Sequence, residues 1–184
     1  MNKPQLPLNT AKYLIIQQKM IGDVLTSSIL CEAIKQKNPS AKVHFLVNQH
    51  TIPVIENNPF IDKVVVKTKE IEKSPVKLFQ FLQQIKKEDY QVVIDVYSKP
   101  ISVLIGKFSK APLKIGYKKW YSQLTYDELY VYKPKPETKA GLAIENRMHL
   151  LQSLDTSYAK ELKPKIYLTE EEISSAKKIL QQEN

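Results

Sequence analysis

The chain has 184 residues, enough for one well-cored domain and marginal for two. Its 42% apolar and 26% charged content excludes a disordered chain, and 4 Gly with 11 Pro exclude a flexible, low-complexity linker. The net charge of +9 rests on 27 Lys and a single Arg, Arg147. Such a field favours anionic partners, but the scarcity of Arg, whose planar fork reads phosphates and bases, argues against nucleic acid.

One cysteine, Cys31, excludes an internal disulfide, and three scattered histidines suggest no metal site. The opening MNKPQLPLNTAKY lacks the apolar core of a signal peptide, and no run approaches the ~20 apolar residues that span a bilayer. The expectation is a cytoplasmic protein, at most peripheral to the inner face of the cytoplasmic membrane.

In chain order, short β-branched runs alternate with amphipathic ones. Strands are expected at 12–17, 42–48, 62–67, 90–97 and 113–117, with helical patterns at 23–37, 50–56, 74–88 and 99–109. The first helix carries Leu25, Ile29 and Ala33 at i, i+4, i+8, with Leu30 and Ile34 alongside. The third carries Val76, Phe79, Leu82 and Ile85 at steps of three. The cores LII, VVV and VVI suit strands covered on both faces, so the alternation predicts an α/β fold, a doubly wound parallel sheet.

Beyond residue 120 the pattern changes. A further strand is expected at 126–133, a helix at 140–154 and an extended segment at 163–168; Thr169 and Glu172 then form a capping box opening a last helix. The expected organisation is one doubly wound domain over 1–165, with 166–184 a linker and helix leading toward a further domain.

An open parallel sheet binds ligands at the carboxyl ends of its strands, and QKMIGD follows the first of them. Gly22 there suits a tight turn and the close approach of a ligand. No G-x-G-x-x-G and no P-loop is present, which argues against an NAD enzyme or an NTPase. Asp23 has two readings, an N-cap of the first helix or a general base at the mouth of a cleft, and one carboxylate can serve both. Asp95, closing a strand, either contacts a substrate or caps the next helix, and Ser102 reads as a local helix contact. Six lysines between Lys99 and Lys119, followed by Trp120 and Tyr121, read first as a solvated basic face and second as a cradle for a phosphorylated glycolipid or an anionic leaflet. Cys31, His44 and His149 read as structural.

The run LIIQQKMIGDVLTSSILCEAIKQKNPSAKVHFLV resembles the opening of the heptosyltransferases, glycosyltransferase family 9, in its strand, Gly-Asp-Val corner and hydroxylated helix start. VVIDVYSKPISVLIGKFSKAPLKIGY is similar to that family's next block, with Asp95 closing a strand, Ser102 opening a helix and Lys114–Tyr117 as a basic-Ile-Gly-aromatic run. The resemblance implies the N-terminal, acceptor-side half of a GT-B glycosyltransferase. It implies Asp23 as catalytic base in an inverting transfer, and Lys19, Gly22, Thr26, Asp95, Lys99 and Ser102 as substrate-binding residues.

By the same resemblance the donor is a nucleotide-diphosphate sugar such as ADP-heptose, the acceptor a lipopolysaccharide core or related glycan, and no cofactor is needed. The family usually has a basic residue where this chain has Gln17, with Lys19 nearby as a substitute. None of the six Asp residues forms the Asp-x-Asp pair that holds a metal against a diphosphate, which is consistent with metal-free transfer. The alternative is a non-catalytic module binding anionic glycolipid or a membrane surface.

Overall fold

The structure, a computed structural model, describes Leu8, residues 11–154 and residues 162–182. Its centre is a parallel sheet of β1 (Lys12–Ile16), β2 (Lys42–Asn48), β3 (Lys63–Lys67), β4 (Val92–Asp95), β5 (Leu113–Tyr117) and β6 (Glu128–Tyr130). The strands lie in the order β3-β2-β1-β4-β5-β6. The helices are α1 (Ile21–Ser27), α2 (Ile29–Lys37), α3 (Lys69–Lys73), α4 (Pro75–Lys87), α5 (Pro100–Ser109), α6 (Leu142–His149) and α7 (Glu170–Gln182).

Strand alternation sends side chains to two cores. Tyr13, Ile15, Phe45 and Ile94 join Ile29, Leu30 and Ile34 of α2 on one face, while Leu14, Ile16, Leu46 and Val93 join Phe81, Leu82 and Ile85 of α4 on the other. Burial on both faces is why these strands are apolar throughout, and it makes the fold the doubly wound one expected.

Several boundaries differ from the sequence reading. The 23–37 helix begins at Ile21 and breaks at Ser28, whose hydroxyl donates to Leu25 O at 2.8 Å and competes with the backbone ladder. The 50–56 pattern is a 3-10 turn over Gln49–Val54 with Pro53 inside it. The 74–88 helix is α4, started by Pro75 with Ser74 as cap. Its expected stripe is corrected: Val76 and Phe79 are exposed, and the inward face is Leu78, Phe81, Leu82 and Ile85. A step of three falls about 60° short of a turn, so residues at constant spacing of three migrate around the helix. The 140–154 pattern is helical only to His149, and 163–168 forms no strand. The last helix opens as expected, with Glu172 N donating to Thr169 Oγ1 at 3.1 Å and Thr169 N to Glu172 Oε2 at 2.7 Å.

Candidate active site

β1 and β4 are neighbours, paired Ile16 to Asp95, and the chain leaves them in opposite directions across the sheet. The two outgoing connections part at this point and open a crevice at the carboxyl ends of the strands. A cavity of about 520 Å³ lies there. Gln17, Lys19 and Asp23 reach it from the β1 connection, Tyr97 and Lys99 from the β4 connection, and Tyr117, Tyr132 and Arg147 from the far side.

Asp23 is not the N-cap. Met20 holds that position without a side-chain bond, and Asp23 is the third residue of the helix, in the field of the first free amides. Arg147 Nη2 lies 3.1 Å from Asp23 Oδ1, and the exposed ammonium of Lys19 lies 3.4 Å from the same oxygen. Among the described residues no partner falls on Oδ2. The carboxylate is therefore fixed through one oxygen and open to a proton at the other.

Arg147 is the residue lining this cavity and paired with Asp23 that sequence reasoning missed. Its side chain is 10% exposed. Nε donates to Ser27 Oγ at 2.8 Å and Nη1 to Ala143 O at 2.8 Å, so the fork is held before it meets Asp23. α6 is pinned in turn, because Tyr117 Oη donates to Asn146 O at 2.8 Å and Lys133 N to Asn146 Oδ1 at 2.8 Å. Burial raises the Tyr117 phenol above its ordinary range, keeping it a neutral donor. The available signal was compositional: one Arg against 27 Lys.

The other expected residues divide. Lys19 and Lys99 line the cavity. Gly22 makes no tight turn, since it sits within α1, but a Cβ there would meet nothing within 4 Å. Thr26 Oγ1 donates to Gly22 O at 2.6 Å, a bond within the helix. The lysine run is not one solvated face: Lys114 pairs with Asp127 at 2.9 Å, Lys119 lies over the Tyr132 ring, and Trp120 stays 86% exposed.

Asp95 and Ser102 are corrected as substrate contacts, because both are fully buried and spent on the protein. Asp95 Oδ1 accepts from Tyr97 N at 3.0 Å and Ser98 N at 2.7 Å, and Oδ2 accepts from Tyr126 Oη. Nor does it cap α5, whose N-cap is Lys99. Burial raises Asp95 to about 6, against the hydrogen bonds that favour its charge. Ser102 Oγ accepts from Lys99 N at 2.9 Å and closes the first turn of α5, the local role read for it.

Two further residues shape this wall. Ser98 has φ of 47°, donates to Asp95 O at 2.8 Å and accepts from Tyr117 N at 2.9 Å and from Tyr121 Oη at its carbonyl at 3.0 Å. Gly116 is required because a Cβ there would lie 2.3 Å from the Tyr126 ring. The glycine of the basic-Ile-Gly-aromatic run thus makes room for the tyrosine that bonds Asp95.

No family model matches the chain. The chain is 23% identical over 96 residues to lipopolysaccharide heptosyltransferase 1 of Campylobacter coli, covering 52% of this chain and 28% of that protein. It is 24% identical over 98 residues to lipopolysaccharide heptosyltransferase 3 of Escherichia coli, covering 52% and 29%. A family 9 glycosyl transferase from Veillonella parvula superposes with a TM-score of 0.79 at 16% identity, over 97% of this chain and 51% of that one. The E. coli heptosyltransferase WaaC with ADP-2-deoxy-2-fluoro heptose gives 0.65 at 18% identity, over 83% and 50%.

The fold is therefore that of a Rossmann-like half of a GT-B glycosyltransferase. In sequence and fold the chain is heptosyltransferase-like, and it spans about half the length of the solved structures it matches.

Proposed function

We propose that this chain is the acceptor-side half of an inverting glycosyltransferase of the heptosyltransferase type. The observation that carries the reading is Asp23, held by Arg147 at the mouth of the cavity with one carboxylate oxygen unengaged among the described residues. Asp23 Oδ2 takes the proton of an acceptor hydroxyl, and that oxygen attacks the anomeric carbon of a nucleotide-diphosphate sugar. The bond to the diphosphate breaks, its electron pair leaves with the nucleotide, and the configuration inverts.

The donor is an ADP-heptose-like nucleotide sugar, carried on a second Rossmann-like domain, and the acceptor a lipopolysaccharide core or related glycan. The absence of an Asp-x-Asp pair and the cations around the cavity support transfer without a metal, with leaving-group charge met by helix amides and side-chain cations. On this reading the protein works in the cytoplasm against the inner leaflet. Among the described residues no helix is long and apolar enough to cross a membrane.

The test is transfer from labelled ADP-heptose to a heptose-deficient lipopolysaccharide core by the full-length polypeptide carrying this segment. Transfer is expected, and Asp23→Asn is expected to lower it by about 10²-fold or more. Undiminished transfer by the variant overturns the base assignment.

A further inference from the structure

Gln17 is 2% exposed and lines the cavity, yet its Oε1 has no hydrogen-bond partner among the described residues. The direction of this amide follows from its neighbours. Ser27 Oγ has one proton, which goes to Asp23 O at 2.7 Å, and the same oxygen accepts from Arg147 Nε at 2.8 Å. What remains on Ser27 is a lone pair, so Gln17 must present its amino group, at 3.2 Å, and leave its carbonyl unmatched. A buried acceptor without a donor is unfavourable, and at a cavity wall it marks the place of a ligand proton.

We infer that Gln17 Oε1 is a specificity-determining contact that takes an uncharged hydroxyl of the acceptor sugar, beside the hydroxyl that Asp23 deprotonates. The inference rests on the glycosyltransferase reading and narrows its substrate class. A phosphate at this point brings lone pairs against a lone pair. An ammonium would donate, but it would sit among Lys19, Lys99 and Arg147, which line the same cavity. A hydroxyl donates without charge. At about 520 Å³ the cavity falls within the range of small-ligand sites.

The experiment is ligand-observed NMR titration of the full-length protein with the methyl α-glycosides of mannose, glucose and galactose, each beside its 6-phosphate. Wild type is expected to bind at least one neutral glycoside in preference to its phosphate. Gln17→Met, close in length but without the acceptor oxygen, is expected to weaken that glycoside by about fivefold, and Gln17→Lys to reverse the preference toward the phosphate. Thermal melts establish that each variant is folded. Equal glycoside binding by wild type and Gln17→Met, a wild-type preference for phosphate, or no binding of any neutral glycoside overturns the inference. Transfer measured in parallel keeps the two readings apart. Loss of glycosyl transfer in every assay counts against the enzyme, whereas intact transfer with an indifferent Gln17 counts against this contact alone.

Discussion

Arg147 Nη2 lies 3.1 Å from Asp23 Oδ1 although 124 residues of chain separate the two. The pair joins the first helix of the sheet to α6 across the open crevice, and Ser27 is bonded to both ends of it. Arg147→Met should therefore act twice. It frees the Asp23 carboxylate to move, and it leaves Ser27 and Asp23 without a buried donor. A fall in kcat of at least tenfold is expected with a smaller change in KM, together with about 1–3 kcal/mol of lost stability by urea unfolding. Arg147→Lys should recover stability more than turnover, because a point charge cannot bond Ser27 and Asp23 at once.

Gly116→Ala tests the packing behind Asp95. The added methyl would fall against the ring of Tyr126, which is buried and tied by its hydroxyl to Asp95. Destabilisation of about 1–3 kcal/mol is expected from overpacking, read as a lower urea midpoint at unchanged slope. Tyr126→Phe separates the causes: it keeps the ring and removes only the hydroxyl bond to Asp95.

The pH dependence has two opposed parts. Burial raises Asp95 from 3.8 to about 6, so the folded state holds this proton more tightly than the unfolded chain. Its contribution is fully present below 3.8 and is lost as pH rises through 6, by roughly 3 kcal/mol. Glu88 runs the other way. The Lys63 hydrogen bond, joined by that of Lys12, lowers it from 4.5 to about 2, so its contribution is present above 4.5 and is lost as pH falls toward 2. Urea midpoints measured from pH 2 to 8 should lose the upper dependence in Asp95→Asn and the lower one in Glu88→Gln.

Cys31 is fully buried, and burial pushes its thiol far above the ordinary range. A thiol reagent should leave it untouched in the native protein at pH 8 and modify it at once in urea. Native labelling at the rate of a free thiol would contradict the placement of α2.

What the sequence made legible was the part governed by local pattern. LII and VVI announced strands buried on both faces, whereas VVV forms the edge strand β3 and is only half-buried, and the corner after the first strand put Asp23 at the crevice. Arg147 was out of reach because its meeting with Asp23 depends on how α6 is pinned through Tyr117 and Asn146, which no local spacing encodes. Asp95 misled for a related reason. A carboxylate at a strand end can face ligand or core, and the choice was made by Tyr126, distant in sequence and admitted by Gly116. The α4 stripe failed on geometry alone, since Val76 and Ile85 are nine residues apart and stand on opposite sides of a helix.

Ser98 gives the wall between the β4 connection and Tyr117 its shape. Its hydroxyl fastens the turn after β4 to the end of β5, donating to Asp95 O and accepting from Tyr117 N, with its own backbone held in a left-handed conformation. That stretch of the crevice is consequently cast when the protein folds. A substrate arriving there meets a finished surface, so the entropy of shaping it is lost once in the life of the molecule and not again at each turnover.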